Sequence, residues 1–450
     1  MKLELSKEFL ERIQLMIAHE DAVAIKHELK DIHPADIADI MESLSSDEAK
    51  FIFDHLDNEL TSAVLMEFDE DYRNRFLKLL SIEEIVDQVD QLETDDAADL
   101  LGEMEEDQKD EIISHLEDPE HASEIVDLLN YEFDTAGGLM HKEFIKAKSH
   151  WAVDRCVIEL RRQAEDVDRV YSIYVVDKED RLLGILSLKS LLFAEPKALI
   201  NDLYLKDRLH YVKTHEKAEE VAEIMEKYDL VSLPVLDRQD RLVGRITIDD
   251  VVDVIKEEAE KDFQMASGIS ENIEASSGVL KNTRSRLPWI LIGLAGGVAS
   301  SQIIKGYEVQ IDINPALAFF IPLIVATAGN VGVQSSAIIV QGLAAKDFQF
   351  QGLFKQVGKE TLVGMLVGVI CSVIIFGMSY FFLSDFRLGI TISISLFLVV
   401  VIAAVLGTVI PLLLDRIKID PALATGPFIT TANDIIGLTI YFVVAYLVYL

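Results

Sequence analysis

Pro421-Ala-Leu-Ala-Thr-Gly-Pro-Phe-Ile-Thr-Thr-Ala-Asn-Asp434-Ile-Ile-Gly437 opens the last long apolar run of the 450-residue chain. It carries one carboxylate, Asp434. At about 1.5 Å of rise per residue, Asp434 lies roughly 20 Å into a helical span that begins at Pro421. That is near the middle of a bilayer core about 30 Å thick. An Asp at that depth costs about 2.5–3.5 kcal/mol on insertion scales, so it should face protein, water or an ion rather than lipid.

Outward from this stretch the chain has two compositions. Residues 271–450 hold 10 acidic and 10 basic groups, and residues 1–270 hold 67 acidic and 31 basic, so the net charge of −36 sits in the N-terminal part. An acidic surface of this size repels nucleic acid and anionic lipid and attracts cations. Met1-Lys-Leu-Glu-Leu-Ser-Lys-Glu has no apolar core of a signal peptide. Cys156 and Cys371 fall in different parts, which suggests neither a disulfide nor a Cys-x-x-Cys metal site and fits a reducing compartment for the acidic part.

Residues 1–131 read as helices throughout, with Ile37, Ile40, Met41 and Leu44 at helical spacing. The stretch around Asp36, Asp39, Asp47 and His55 returns 60 residues later as Asp96, Asp99, Asp107 and His115. This predicts a small helical solenoid whose repeats bury their faces against each other. A second repeat follows. IYVVDKEDRLLGILSL at 173–188 matches LPVLDRQDRLVGRITI at 233–248, each copy a strand, Asp turn and strand after an amphipathic helix (153–162, 218–228). On a helix beginning near 249, Asp250, Asp253 and Glu257 share one face, with Glu258 and Asp262 beside it. Hard carboxylates without nearby His or Cys favour Mg²⁺ or Ca²⁺. Residues 263–286 read as a connector, amphipathic enough for a helix at the membrane surface.

From Leu287 the chain reads as membrane, with spans at about 288–307, 315–345, 358–383, 388–414 and 422–450. Lys281, Arg284, Arg286, Lys346, Lys355, Lys359, Arg416 and Lys418 flank one side, and only Lys305 and Arg387 the other. The positive-inside bias then puts the acidic part in the cytoplasm and the C-terminus outside. Gly293/Gly297 and Gly364/Gly368 are spaced for close helix packing. Pro322 and Ala328-Gly-Asn-Val-Gly332 predict a broken second span. Asn330 and Gln334 would then face Asn433 and Asp434 across a polar pathway. There is no nucleophile–base pair or P-loop, so an enzyme is not expected.

The parts in this order resemble the MgtE family of magnesium channels and transporters over essentially the full length. The residues that carry the likeness are Glu-x-x-x-Ala-Gly-Gly-Leu-Met (132–140), Ala-Gly-Asn-Val-Gly-Val-Gln-Ser-Ser (328–336), and Asp420-Pro-Ala-Leu with Asn433-Asp-Ile-Ile-Gly437. The repeat at 137–262 resembles a tandem pair of CBS domains. The fold so implied is multi-domain: a cytosolic α-helical solenoid and an α/β tandem CBS pair, followed by a five-helix transmembrane domain. The boundaries are 1–131 for the N-domain, 132–200 and 201–262 for the CBS domains, 263–286 for the connector and 287–450 for the pore domain. The resemblance implies a homodimer in the cell membrane that imports Mg²⁺ along a pore lined by the fifth spans, with Asp434, Asn330, Gln334 and Thr430 facing the ion.

It further implies that cytosolic Mg²⁺ closes the pore through Asp95 and Asp99 of the N-domain, through Glu219, Asp229, Asp250, Asp253, Glu258 and Asp262 of the CBS region, and through Asp420. An ion-coupled secondary transporter of divalent cations is the alternative. CBS pairs often hold an adenine nucleotide through the Asp of a Thr/Ser-x-x-Asp motif. The second copy has it, Thr247-Ile-Asp-Asp250, while the first has Ser190 in place of the carboxylate. Two further departures are Ala63, where a sensor Glu is expected, and Gly426, where the family carries Asn.

Overall fold

In the computed structural model, residues 7–449 are described save 165, 166, 168, 207, 208, 271, 272, 274–277, 345–352, 384 and 425. Lys346 of the flanking-charge pattern thus lies outside the described residues. The chain divides into two compact units, Met1–Lys256 and Glu257–Leu450.

The first unit begins with ten helices: α1 (Lys7–Ala18), α2 (Ala22–Leu29), α3 (Pro34–Glu42), α4 (Ser46–Phe53), α5 (Asn58–Glu67), α6 (Glu70–Leu77), α7 (Ile82–Val89), α8 (Thr94–Gly102), α9 (Glu106–His115) and α10 (Pro119–Leu128). The 60-residue echo is structural. Helices α2 to α5 recur as α7 to α10, with starts displaced by 60 or 61 residues. Ser45/Glu48 and Ser81/Glu84 form reciprocal capping boxes at the starts of α4 and α7. Such short helices are stable only through the faces they bury, here Ile37, Ile40, Met41, Ile52, Leu65, Val89, Leu100 and Leu101, all fully enclosed.

The α/β part repeats one motif. In the first copy β1 (Ile145–Lys148) and α11 (Val153–Gln163) precede β2 (Ile173–Val176), β3 (Leu182–Leu186) and α12 (Leu188–Leu192). In the second, β4 (Val212–Lys213) and α13 (Ala218–Lys227) precede β5 (Ser232–Leu236), β6 (Leu242–Thr247) and α14 (Ile248–Ala266), which runs across the division between the units. Each sheet has one parallel and one antiparallel pairing. The copies meet symmetrically: Leu182 N–H donates to Asp240 O and Leu242 N–H to Asp180 O, over a small core of Tyr174, Val176, Leu236 and Leu242.

The segment 135–141 bonds to the second copy, although it precedes the first. Ala136 N–H donates to Glu216 O (2.8 Å) and Gly137 N–H to Thr214 O (2.9 Å). The Ala-Gly-Gly run permits this approach, because a Cβ on Gly138 would lie 2.6 Å from Phe133 O. Through Ala136 and Met140 the helical core continues into that of the second copy.

Among the described residues, the second unit has five helices long and apolar enough to cross a membrane. They lie in α15 (Val279–Gly306), α17 (Ile321–Ala344), α18 (Leu353–Leu383), α19 (Phe386–Arg416) and α20 (Pro427–Tyr449), with a short α16 (Glu308–Ile313) between the first two. Helix α19 buries the most residues of the five and α15 few. Buried hydroxyls on α19 are satisfied within the helix, as Thr391 and Ser395 donate to the carbonyls four residues back at 2.8 and 2.7 Å.

Three sequence expectations change here. The second span changes from a 3₁₀ segment (Pro315–Phe320) to α17 beside Pro322, but it is not broken at 328–332: α17 is continuous, and Pro322 sits in its first turn, where its missing N–H is harmless. Its glycines serve close packing instead. The segment 263–286 is not one connector helix. Helix α14 extends to Ala266, and residues from 279 onward already belong to α15. Gly364 and Gly368 do pack closely, against Ala404 and Phe397, but Gly293 and Gly297 face open space. The close contact of α15 is Gly296, where a Cβ would overlap Thr431.

Candidate ion pathway and candidate metal cluster

In the membrane unit, α20 carries one charged residue, Asp434, seven residues past its opening proline. Helix α17 meets α20 through two glycines. A Cβ on Gly329 would lie 2.8 Å from Thr430 Cγ2 and 3.9 Å from Asp434 Oδ1, and one on Gly332 would overlap the Asn433 amide. Asp434 is partly exposed, while Asn433 is buried with neither amide atom hydrogen-bonded. Buried polar groups are nearly always satisfied, so an orphaned amide next to a lone carboxylate marks a polar locus within apolar surroundings. Thr430 Oγ1 donates to Gly426 O (2.6 Å), which leaves it only acceptor capacity. Asn330 and Gln334, four residues apart on one face of α17, are exposed. The structure thus brings together Asp434, Thr430 and the neighbouring Asn433, while Asn330 and Gln334 are exposed on α17.

Sequence reasoning missed Glu360. It sits near the start of α18, beside Lys359, and reads as a flanking charge, yet it is buried and accepts from Ser335 Oγ at 3.3 Å.

Where α14 ends, Gly268 and Gly426 adopt left-handed conformations (φ +79° and +55°). A Cβ on Gly426 would overlap the Ala266 carbonyl, and one on Gly268 would lie 2.7 Å from Pro427 Cγ. The end of α14 is therefore seated on the first residue of α20, which is the physical use of glycine at 426. Nearby, burial and then Asp420 and Glu258 push the Asp262 carboxyl above its usual range. Asp420 Oδ1 caps the turn ahead of α20 by accepting from Ala422 N (2.8 Å). Glu258, Asp262 and Asp420 therefore gather at this junction.

In the first unit, carboxylates from α8 and α14 converge on one imidazole. His141 is 6 % exposed, and its backbone exchanges hydrogen bonds with Arg245 on β6 (2.7 and 3.1 Å). Nδ1 lies 2.9 Å from Glu93 Oε2 and 3.1 Å from Asp95 Oδ1, and Nε2 lies 2.8 Å from Asp250 Oδ2. Asp250 also accepts from Thr247 N (3.1 Å) and Thr247 Oγ1 (2.9 Å). Glu143 accepts from Thr94 N (3.1 Å) and Oγ1 (3.0 Å) at the start of α8, where the helix dipole favours an anion. Burial disfavours charge on His141, but its pairing with the Asp250 and Asp95 carboxylates outweighs that and holds its pKa well above the usual imidazole value. Burial likewise pushes Asp250 up, and its bonds from His141 and Thr247 reverse that.

Asp96 and Asp99 lack such a partner. Burial, with Asp95 beside them, raises Asp96 to about 8 and Asp99 to about 7. The folded state then holds protons that the unfolded chain has released, so stability is greatest below an unfolded pKa of about 3.9 and falls as pH rises towards 8. Asp96→Asn removes that loss. At about 1.4 kcal/mol per pKa unit, discounted for partial exposure, we expect a gain of about 1–2 kcal/mol in the metal-free protein at pH 8. At pH 5 we expect most of that gain to be gone. Thermal melts at the two pH values check this; an equal effect at both would contradict it.

The sequence-predicted Asp95, Asp99 and Asp250 are thus neighbours, with Glu93, His141 and Glu143 unforeseen. Glu219 opens α13 and Asp229 follows its end, so they stand at opposite ends of a ten-residue helix, and Asp253 is exposed on α14.

A model described as a divalent cation transporter, MgtE, matches residues 321–444, and the MgtE intracellular N domain matches 32–134. The CBS domain matches 136–197 and 200–257. The magnesium transporter MgtE of Thermus thermophilus is 32% identical over 437 residues, 96% of this chain and 97% of the relative. The chain belongs to the MgtE family. The Bacillus subtilis magnesium transporter MgtE is 31% identical over 442 residues, 93% of this chain and 95% of the relative. A solved structure of the cytosolic domain of the Mg²⁺ channel MgtE in complex with ATP is 32% identical, with a TM-score of 0.52 over 54% of this chain and 99% of that one. Within the MgtE family, then, this chain has the helical N domain, the CBS pair and the apolar helices in the expected order.

Proposed function

We propose that this MgtE-family chain transports Mg²⁺ across the cell membrane as a homodimer, with Asp434 of each copy facing the ion. The observation that carries this reading is the lone carboxylate of α20, set beside the unsatisfied amide of Asn433 in an otherwise apolar helix. Mg²⁺ dehydrates reluctantly and usually keeps several waters. Two carboxylates reaching its water shell suit passage better than a tight cage, since an ion must leave as well as enter. Thr430 contributes as an acceptor, and Asn330 and Gln334 meet the ion only if the second copy faces them towards it. The flanking charges favour a cytoplasmic N-terminus and an external C-terminus.

Regulation belongs to the same proposal. Cytosolic Mg²⁺ binds the acidic faces and closes the pathway. Asp95, Asp99 and Asp250 form one group of ligands, Glu258, Asp262 and Asp420 another, and Glu219, Asp229 and Asp253 complete the set. Asp96 and Asp99 are raised by burial and by Asp95, so this region has surplus negative charge that a divalent cation relieves. The seat of α14 on Gly426 and Pro427 gives the second group a mechanical route to α20. The working division remains 1–131, 132–200, 201–262, 263–286 and 287–450. An adenine nucleotide at the CBS pair would need Asp250, and would compete for it with His141 and Thr247.

Flux into liposomes tests the transport reading. Mg²⁺ entry down its gradient, unaltered by collapse of a proton gradient, is the expected result. Entry that stops when the proton gradient is collapsed would establish the coupled transporter instead, and no Mg²⁺ entry would overturn both.

A further inference from the structure

His141 gives the first unit a ligand that magnesium chemistry does not call for. One ligand atom each from Glu93, Asp95, His141 and Glu143 all lie within 4.8 Å of one another. Glu93 is the N-cap of α8 and Asp95 is in its first turn, whereas His141 and Glu143 alternate along the segment leading into β1. Two parts of the chain nearly 50 residues apart thus turn four donors to one point.

Two further observations point to an ion rather than a solvated acidic patch. Asp95 is 7 % exposed, and its buried Oδ1 has no donor of its own: it meets only Nδ1, at 3.1 Å, which Glu93 Oε2 also contacts at 2.9 Å. On the far side of the ring, Nε2 faces Asp250 Oδ2 at 2.8 Å. Metal-bound imidazoles almost always give their second ring N–H to a carboxylate, which fixes the tautomer and the ring plane. Asp250 is already placed to receive it, and is itself held by Thr247.

We propose that Glu93, Asp95, His141 and Glu143 form a site for a borderline divalent transition metal of the Zn²⁺ or Co²⁺ class. Imidazole nitrogen suits these ions, while Mg²⁺ takes oxygen ligands in a near-ideal octahedron. Donors about 2.0–2.2 Å from a tetrahedral ion lie roughly 3.3–3.6 Å apart, so the four atoms close in by about 1 Å on binding. The metal takes the place of the proton on Nδ1, which is released to solvent, while Nε2–H stays on Asp250. The bound ion ties the start of α8 to the segment before β1, and so fastens the helical part to the CBS pair. The site shares Asp95 with the group assigned above to Mg²⁺, so at this point the transition metal takes the place of Mg²⁺; it stands whether or not this chain conducts Mg²⁺, and its test contains no flux measurement.

The full-length protein, stripped with chelator, is titrated with Co²⁺ and its visible d–d absorption recorded. The expected result is an absorption band that saturates at one Co²⁺ per chain, is removed by one equivalent of Zn²⁺, and persists in millimolar Mg²⁺. His141→Gln abolishes the band. Glu143→Gln, which leaves the bonds of His141 to Glu93 and Asp250 in place, weakens binding by at least about tenfold. Asp434→Asn leaves the band unchanged, which separates this site from the ion pathway. An undiminished band in His141→Gln, displacement by Mg²⁺ as readily as by Zn²⁺, or no band at all would overturn the proposal.

Discussion

Asp434→Asn is expected to abolish Mg²⁺ uptake while leaving the protein folded. At an effective dielectric of about 20, one carboxylate about 6 Å from a divalent ion contributes roughly 5–6 kcal/mol of attraction. A quarter of that is a factor of ten in ion occupancy, and a dimer loses two such groups at once. Folding should not suffer, because a charge in an apolar span is unfavourable in itself and Asn retains the shape. Uptake into liposomes at equal protein loading, with the melting temperature measured alongside, checks the result. Undiminished flux would remove Asp434 from the pathway.

The second large effect is expected from Asp250→Asn with Asp253→Asn, which should conduct at internal Mg²⁺ levels that close the parent. Asp250 is where α14 meets His141 and, through it, Glu93 and Asp95. Removing one partner of a buried charged group is strongly destabilising, on the order of 3–5 kcal/mol. Moving a two-state gate from 1:99 to 99:1 needs about 5.5 kcal/mol. Falling on the closed state alone, a loss of that size is comparable to what a gate requires. Asp253 is exposed, so Asp253→Asn alone should leave the melting temperature unchanged and isolates its effect on closure. Normal closure of the double variant would make these carboxylates a solvated face.

Much of the architecture was legible because it is periodic. Five apolar runs of spanning length stand out by composition, and both 60-residue echoes survive as helices and strands at matching offsets. Rotation about a helix axis was not legible. Gly293/Gly297 and Gly296 differ by a turn of about 100° per residue, and only packing selects Gly296 as the contact with Thr431. The run Ala328-Gly-Asn-Val-Gly332 shows a related ambiguity. Glycine in an apolar helix signals either a break or the close approach of a neighbour, and here Thr430 and Asn433 make it the second.

The candidate sites divide in the same way. Asp434 is conspicuous as the one charge of its span. Asp95 and Asp99 came from the family resemblance and Asp250 also from the acidic face of its helix, and the structure places the three near one another. His141 was passed over because its partners come from residues 93, 95 and 250. No local spacing rule joins three elements so far apart in sequence, although a histidine directly after Ala-Gly-Gly-Leu-Met was visible. Glu360 was hidden for the opposite reason, since its neighbours Lys355 and Lys359 made it look like an ordinary flanking charge.

We propose that one chain both passes Mg²⁺ and is closed by it. It is tested most directly by recording current through the reconstituted protein while Mg²⁺ on the side of the acidic unit is raised from micromolar to millimolar. Channel openings should become rare as Mg²⁺ rises, with closure lost in the Asp250→Asn, Asp253→Asn variant. Openings equally frequent at all Mg²⁺ concentrations would contradict it.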